Sequence, residues 1–257
     1  MATNTKVKPK SNAPLLIIGV VLVVAVLGGV WLYGGRRQGP ANTASNTANR
    51  NPAANAQRIP PNAPQGANPP NASGAPSAPV VIEEFADFQC PQCGTKHPVF
   101  NEIKSMYGSR VYFVFRHYPL AMHDKAYDAS VAAEAAGLQG KFWDMQNVLF
   151  QNQKVWSVST SHKQLFKDYA GRIGLDTEKW ENDTIGILAK GRVDADLARA
   201  RGIGVSGTPS VYINGVSLPF EQMTVEGIKA VVDAELAKGT RTDPAAPANA
   251  GTANASK

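Results

Sequence analysis

Cys90 and Cys93 are the only two cysteines of this 257-residue chain, and two residues separate them in the run FQCPQC. Cysteines at this spacing can close a small disulfide across one helical turn, and such a strained bond is easier to reduce than a structural one. Closing so short a loop removes little entropy from the unfolded chain, so the bond would contribute little to stability. The pair is therefore predicted to exchange between dithiol and disulfide.

The hydrophobic pattern around the pair predicts the elements that position it. A buried strand is predicted over residues 80–86 and a helix over about 90–106, with Pro91 in the first turn, where its missing N–H costs nothing. Free N–H groups and the positive end of the helix dipole favour a thiolate, so the pKa of Cys90 is expected to fall. Cys93, one turn deeper, is expected to be the shielded resolving thiol.

The rest of the chain up to residue 239 alternates between strands and helices. A second strand is predicted over 111–115, a third over 211–213, and the Asn214–Gly215 dipeptide predicts a hairpin into 216–218. A final helix begins after Thr224 and ends at Gly239. Four further segments between the second and third strands have apolar residues at helical spacing: 124–136, 141–151, 161–173 and 184–201.

This order of elements resembles the DsbA-like branch of the thioredoxin-fold superfamily, a branch of thiol:disulfide oxidoreductases. The matching segments are VVIEEFADFQCPQC, FRHYPL and GVSGTPSVYING, which span nearly the whole of residues 79–239. The resemblance implies an α/β thioredoxin fold with a helical insertion between the second and third strands. It also implies that the enzyme needs no organic cofactor beyond its own Cys90–Cys93 disulfide.

The same resemblance assigns roles to residues beside the cysteines. Pro91 and Gln92 occupy the positions that tune the redox equilibrium, and Gln92 departs from the His usual in DsbA, which implies a milder oxidant. Pro209 resembles the family's cis-proline, which lies against the disulfide and leaves a backbone edge for an extended peptide. Thr208 then supplies backbone groups that face the substrate. Without the resemblance, a trans proline at a strand entry is the simpler interpretation of Pro209.

Glu84 resembles the buried acid that the family often places beneath the disulfide. There its pKa would be raised, and it would accept a proton from Cys93 through water. The alternative is a carboxylate that faces solvent, and Glu83, on the opposite face of the strand, could exchange roles with it. Arg116 and His117 follow the second strand and are candidate partner charges, and the sequence does not choose between them.

Cys90, Cys93 and His97 also form a Cys-x-x-Cys-x-x-x-His set, so a metal site was weighed. Zinc usually takes a fourth ligand at a recognisable spacing. The other histidines offer no such ligand: His117, His123 and His162. Gly94 stands where covalent c-type haem attachment needs histidine. The sequence therefore predicts no metal site.

The net charge of +6 comes from the N-terminal part of the chain. Residues 1–78 hold seven Lys or Arg and no acid, whereas residues 79–238 hold 17 basic and 19 acidic residues. A nucleic-acid partner is therefore not expected. An uncharged apolar run over residues 15–33 would form a helix roughly 28 Å long, close to the hydrocarbon thickness of a bilayer. A cleaved signal peptide usually has a shorter apolar run, and it stays the alternative.

These features divide the chain into five parts. They are a cytoplasmic N-terminus (1–14), one transmembrane anchor (15–33), a disordered Asn/Ala/Pro-rich linker (34–78), the DsbA-like domain (79–239, with its insertion at about 120–202) and a disordered tail (240–257). The predicted location is the bacterial cytoplasmic membrane, with the domain on the extracytoplasmic side, because a disulfide-active pair suits an oxidising compartment.

The predicted function is a dithiol oxidase that introduces disulfides into exported proteins through a mixed disulfide on Cys90. By resemblance, its partners are reduced exported proteins or peptides and a membrane reoxidase of the DsbB or vitamin K epoxide reductase type. Two alternatives stay open. One is a disulfide reductase or isomerase, and the other is a tethered peptide-binding or holdase module whose thiols are secondary.

Overall fold

The computed structural model describes residues 56–239. The predicted N-terminus, the anchor, linker residues 34–55 and the tail lie outside these residues. The described part contains a five-stranded sheet in the order β1-β3-β2-β4-β5. Strands β2 and β3 are parallel, and the other neighbouring pairs are antiparallel. The strands are β1 (Asn71–Ser73), β2 (Val80–Ala86), β3 (Val111–His117), β4 (Ser210–Ile213) and β5 (Val216–Leu218).

Helices within residues 56–239 flank this sheet and fill the connection between β3 and β4. They are α1 (Pro91–Tyr107), α2 (Ala126–Gly137), α3 (Phe142–Gln151), α4 (Gln153–Trp156), α5 (His162–Arg172), α6 (Thr177–Ile185), α7 (Ile187–Gly202) and α8 (Val225–Lys238). The thioredoxin-like architecture and the helical insertion predicted from the sequence are thus confirmed. None of the helices in the described range has both the length and the apolar character needed to cross a bilayer.

The two faces of the sheet have different partners because side chains alternate along each strand. On one face, Val80 and Ile82 of β2 pack with Phe100 of α1 and Ile228 of α8. By alternation, Glu84 lies on this face, towards α1. Phe85 lies on the other face and packs with residues at the end of α7 and beyond it: Ala200, Ile203 and Val205.

The insertion has its own apolar core, which reaches the ends of β2 and β3. Trp156, Phe166 and Leu149 are buried in this core, and Phe88 and Phe115 join it from the sheet. The predicted helix over 184–201 is wrong at its start, because the chain is extended at Gly186 (φ −64°, ψ 165°) between α6 and α7. The side chain of Asp176 caps α6 by accepting from the Lys179 N–H, which gives that segment a helix of its own.

Residues 56–78 correct the predicted extent of the disordered linker, because they form an ordered arm along the sheet. At one end, Ile59 N donates to Gly215 O (2.9 Å) and Ser217 N donates to Gln57 O (2.8 Å), next to β5. At the other end, β1 pairs with β3. The arm therefore contacts both sides of the sheet, and the ordered domain begins well before residue 79.

Buried charges hold the arm to the sheet and to α7. The Glu83 carboxylate accepts from Arg116 Nε (2.6 Å) and from Arg199 Nε (2.6 Å), and Arg199 Nη1 donates to Pro64 O (2.7 Å). Burial would raise the pKa of Glu83, but the guanidinium groups of Arg116 and Arg199 hold it below its usual value. Charge-assisted hydrogen bonds, which are about twice as strong as neutral ones, thus fix a segment with few large apolar residues.

Candidate active site

Cys90 is the residue immediately before α1, and Pro91 opens the helix. Both thiols are reduced in the structure, and both are buried, with 6% of Cys90 and none of Cys93 exposed to solvent. Pro91 and Gln92 between them are exposed. The structure thus places Cys90 at the edge of the site and Cys93 behind it, as the helical spacing predicts.

The surroundings separate the two thiols by acidity. A hydrogen bond from the Cys93 thiol lowers the pKa of Cys90 to about 5, against the opposing effect of burial, and the Thr208 side chain and the backbone N–H groups of Cys93 and Gln92 add to it. Burial raises the pKa of Cys93, and its hydrogen bond to Cys90 raises it further. Cys90 is therefore the thiolate at neutral pH, and Cys93 retains its proton.

Thr208 and Pro209 lie against Cys90, and the bond between them is cis, as the resemblance implies. Cys90 Sγ donates to the Thr208 carbonyl oxygen at 3.4 Å. The Thr208 hydroxyl is buried beside Cys90, and it stabilises the ionised form of that thiol. Pro209 lines a cavity of about 170 Å³ together with Val205 and Phe220.

Glu84 is buried beneath the cysteines, with 2% of its surface exposed. Burial raises the pKa of Glu84 to about 8, against the lowering effect of the Lys104 ammonium. The charge of Glu84 in turn raises the pKa of Cys93, although burial contributes most to that shift. The buried position and raised pKa that the resemblance implies for Glu84 are therefore present.

Lys104 on α1 is the partner charge of Glu84, and the sequence analysis did not consider it. Its Nζ lies 4.1 Å from the centre of the Trp143 ring, and burial lowers the pKa of Lys104 to about 8. One signal in the sequence points to it. Cys93, His97, Phe100 and Lys104 recur at helical spacing, so they share one face of α1.

Glu83, Arg116 and His117, the other candidates for the buried acid and its partner charge, do not lie beneath the cysteines. Glu83 is on the opposite face, bonded to Arg116, so neither of them faces the cysteines. His117 Nε2 is 3.0 Å from Glu134 Oε1. The expectation that Arg116 or His117 pairs with Glu84 is therefore wrong, and the suggested exchange of Glu83 with Glu84 is excluded.

His97, weighed as a metal ligand, is bonded within the protein. Its Nε2 lies 2.9 Å from Asn147 Oδ1 and 3.0 Å from Asn101 Nδ2, and burial lowers the pKa of His97 to about 4. Within residues 56–239, the only group of three such side chains with ligand atoms close enough for a metal ion does not include His97: it is His117, Glu134 and Asp196. Arginine side chains already contact both carboxylates, Arg192 on Glu134 and Arg116 on Asp196.

Two further residues shape the turn before α1, and neither was predicted from the sequence. The Asp87 backbone N–H points at Cys93 Sγ (3.5 Å), and its carboxylate accepts from Gln89 N (2.6 Å) and Cys90 N (3.2 Å). Gln153 Nε2 donates to Phe88 O (2.7 Å) and Cys90 O (2.8 Å). The sequence could have indicated the role of Asp87, because an aspartate just before a helix often accepts hydrogen bonds from the backbone N–H groups that follow it. No sequence pattern indicated the role of Gln153.

A thiol stabilised as an anion and backed by a shielded second thiol meets the chemical needs of disulfide exchange. The sheet that presents this pair carries its helical insertion between β3 and β4. Fold and site together define a thioredoxin-like protein with a Cys-x-x-Cys pair at the start of its first helix. A family model described as Thioredoxin matches residues 67–234, and the chain belongs to that family.

Solved structures with this fold include two bacterial proteins. Oxidised BdbD from Bacillus subtilis is 23% identical with a TM-score of 0.59, and the match covers 68% of this chain and 98% of BdbD. DsbA2 from Pseudomonas aeruginosa is 24% identical with a TM-score of 0.51, over 65% of this chain and 93% of DsbA2. At these identities the likeness concerns the fold.

A relative found by sequence similarity is named as an ion transporter rather than as a thioredoxin-like protein. The Na(+)/H(+) antiporter NhaA 1 of Mycolicibacterium vanbaalenii is 35% identical over 146 residues, which are 56% of this chain. The match covers 23% of the antiporter, so the chain spans about a quarter of the length of this relative. The shared part is thus a minor portion of a much longer protein.

Proposed function

We propose that this protein is a dithiol oxidase that transfers its Cys90–Cys93 disulfide to reduced exported proteins. The observation that carries the proposal is the opposed acidity of the two thiols, a pKa of about 5 at Cys90 and a raised pKa at Cys93. A stabilised Cys90 thiolate favours the reduced form of the enzyme, so the disulfide form is readily reduced by substrate thiols.

The proposed reaction has two exchange steps. A substrate thiolate attacks Cys90 Sγ, a mixed disulfide forms, and the Cys93 sulfur leaves and takes up a proton. The second substrate thiolate then attacks the substrate sulfur of the mixed disulfide, and Cys90 leaves as a thiolate. Substrate is oxidised to a disulfide and the enzyme is reduced to a dithiol. A low pKa makes Cys90 the better leaving group in the second step.

We assign the proton for Cys93 to Glu84, through water. With a pKa of about 8, Glu84 is mainly protonated at neutral pH, so it can act as the general acid for the Cys93 sulfur when that sulfur leaves. Substrate peptide would lie along Thr208 and Pro209, where the cavity beside Pro209 offers Val205 and Phe220 to an apolar side chain. Exposed Pro91 and Gln92 would also face it, and the absence of an imidazolium at Gln92 supports a milder oxidant.

The setting of the reaction is part of the proposal. Residues 15–33 would anchor the chain in the bacterial cytoplasmic membrane, with the domain on the extracytoplasmic side. A membrane reoxidase of the DsbB or vitamin K epoxide reductase type would remove the two electrons and restore the disulfide. No metal or organic cofactor is proposed.

A redox titration of the full chain with reduced and oxidised glutathione tests the direction. An oxidase has an equilibrium that favours the dithiol form, whereas a reductase favours the disulfide. Oxidative refolding of a reduced substrate by the disulfide form of the enzyme then tests the thiols: Cys90→Ser should abolish it, and so should Cys93→Ser, which has no disulfide to donate. Refolding that persists unchanged in Cys90→Ser would favour the peptide-binding or holdase alternative.

A further inference from the structure

Buried Asp87 and partly buried His123 form a pair directly behind the active-site turn, and the proposed mechanism does not use it. His123 Nδ1 lies 2.6 Å from Asp87 Oδ2, and none of the Asp87 side chain is exposed, against 19% of His123. Both Asp87 oxygens already accept hydrogen bonds from backbone N–H groups. The proton of the His123–Asp87 hydrogen bond is therefore on Nδ1 of His123. A buried carboxylate is costly unless it is paired and hydrogen-bonded, which makes this partner significant.

The Asp87 carboxylate connects two segments that meet at the site. Its Oδ1 accepts from Gln89 N and Cys90 N, and its Oδ2 accepts from Leu120 N (2.8 Å) as well as from His123. Leu120 and His123 belong to the segment that follows β3. A second link joins the same two segments, because Lys125 N donates to Gln89 Oε1 (2.8 Å).

Asp87 also contacts the redox pair itself. Its carboxylate touches the Cys90 N–H, and its own N–H points at Cys93 Sγ. A full negative charge on this carboxylate opposes a second negative charge on Cys90. Donation from His123 Nδ1 draws that charge away from the sulfur, so the histidine acts on the cysteines through the carboxylate.

We propose that Asp87 and His123 are a positioning pair that sets the redox equilibrium of Cys90 and Cys93 by adjusting the negative charge behind the helix turn. The proposal rests on the proposed redox function of the two cysteines. The reaction that reports on it is balanced: enzyme disulfide and two molecules of reduced glutathione give enzyme dithiol and oxidised glutathione.

The two members of the pair should shift this equilibrium in opposite directions. His123→Ala leaves the carboxylate charge unshared, so it should move the equilibrium towards the disulfide by about threefold or more. Asp87→Asn removes the charge and should move it towards the dithiol by a similar factor. His123→Asn keeps a donor near the Nδ1 position and should restore most of the wild-type value. A purely structural role would give losses of stability with no such reversal of sign.

The experiment is a glutathione titration of full-length wild type and variants, with a thermal melt of each. His162→Ala is the matched control, because His162 Nε2 contacts Asp128 Oδ2 at 2.9 Å in the helical insertion, away from the cysteines. It should leave the equilibrium constant unchanged. In Asp87→Asn/His123→Ala, the effect of the histidine should disappear, since it acts through the carboxylate.

The outcomes separate the two proposals. If the wild type exchanges with glutathione and His123→Ala leaves the constant unchanged, or shifts it towards the dithiol, the positioning pair is overturned and the proposed function stands. If the wild type does not exchange, the proposed function fails and this inference fails with it. If Asp87→Asn does not fold, the equilibrium constants of His123→Ala and His123→Asn still test whether the positioning pair acts on the cysteines.

Discussion

At the scale of single residues, the chemistry depends on an unequal pair of thiols. Cys90 and Cys93 are chemically identical in the sequence, and their environments alone distinguish them. Cys90 receives hydrogen bonds at the start of α1, whereas Cys93 is enclosed and lies above a buried carboxyl. Under the proposed function, this inequality makes Cys90 the sulfur that attacks and is attacked.

The low pKa of Cys90 predicts a pH-dependent stability of the reduced protein. Its pKa is about 5 in the fold, against 9.0 for an ordinary thiol. A depressed pKa contributes stability that is complete above the unfolded value and disappears as the pH falls through the folded one. Relative to the disulfide form, the reduced form should therefore lose stability between pH 9 and pH 5. Chemical denaturation of both redox forms across this range measures it, and a constant difference would contradict it.

Glu84 and Glu83 should give opposite phenotypes when each is replaced by glutamine. Glu84→Gln removes the proton donor beneath Cys93 and should slow exchange on the order of tenfold, with little loss of stability. Glu83→Gln breaks the buried bonds to Arg116 and Arg199 and should cost about 3 kcal/mol of unfolding free energy while the exchange rate is retained. Stopped-flow exchange and urea unfolding measure the two effects, and equal rates in both variants would exclude the assigned role of Glu84.

At the scale of elements, the active-site turn depends on a close approach between two helices. A Cβ added at Gly94 of α1 would lie 2.5 Å from Gln153 Oε1, and Gln153 donates to the carbonyl groups of Phe88 and Cys90. The missing side chain at Gly94 thus allows the insertion to hold the loop before α1.

Gly94→Ala should destabilise the protein although alanine favours a helix. The displaced Gln153 would lose two hydrogen bonds at a buried site, with a cost of about 1–3 kcal/mol. Gly191→Ala is the matched control, because Gly191 lies in α7 with open space around its Cβ position, and it should stabilise by about 0.5–1 kcal/mol. Thermal melts of both variants measure the difference. A stabilised Gly94→Ala would show that the contact with Gln153 is dispensable.

Sequence patterns predicted most elements and the outline of the site. Cys90, Cys93, Pro209 and Glu84 all lie where their motifs place them, because local spacing and strand alternation determine those positions. The break at Gly186 was missed, since apolar spacing continues across it and the extended conformation depends on tertiary packing. Lys104 was missed as the partner charge of Glu84 because their electrostatic interaction is between a helix and a strand, and no local pattern encodes it.

At the scale of the whole molecule, the arm of residues 56–78 joins the sheet and the helical insertion. Its low hydrophobicity led to the prediction of a disordered linker. Composition could not reveal that its backbone atoms serve as partners for charges on other elements, such as Arg199 for Pro64 O and Asp196 for Ala67 N.

Gly66 provides a direct test of the ordered arm. It has φ +77°, and an added Cβ would lie 2.7 Å from Asp196 Oδ1 and 2.8 Å from Arg116 Nη1. Gly66→Ala should therefore cost backbone strain of about 1 kcal/mol and a further loss from displacing the buried ion pair. Gly174→Ala, at φ +78° with nothing near its Cβ position, should cost the strain alone. Urea unfolding compares them, and a neutral Gly66→Ala would indicate a disordered arm.

The placement of the arm also bears on how these molecules behave when crowded together. The rims of the sheet are the three-residue β1 on one side and, beyond β5, the short bridge at Arg58 on the other. A long unpaired edge strand lets another polypeptide pair with it and extend the sheet from one molecule to the next, whereas short edge strands limit this growth. A concentrated solution of the protein should therefore remain free of fibrils.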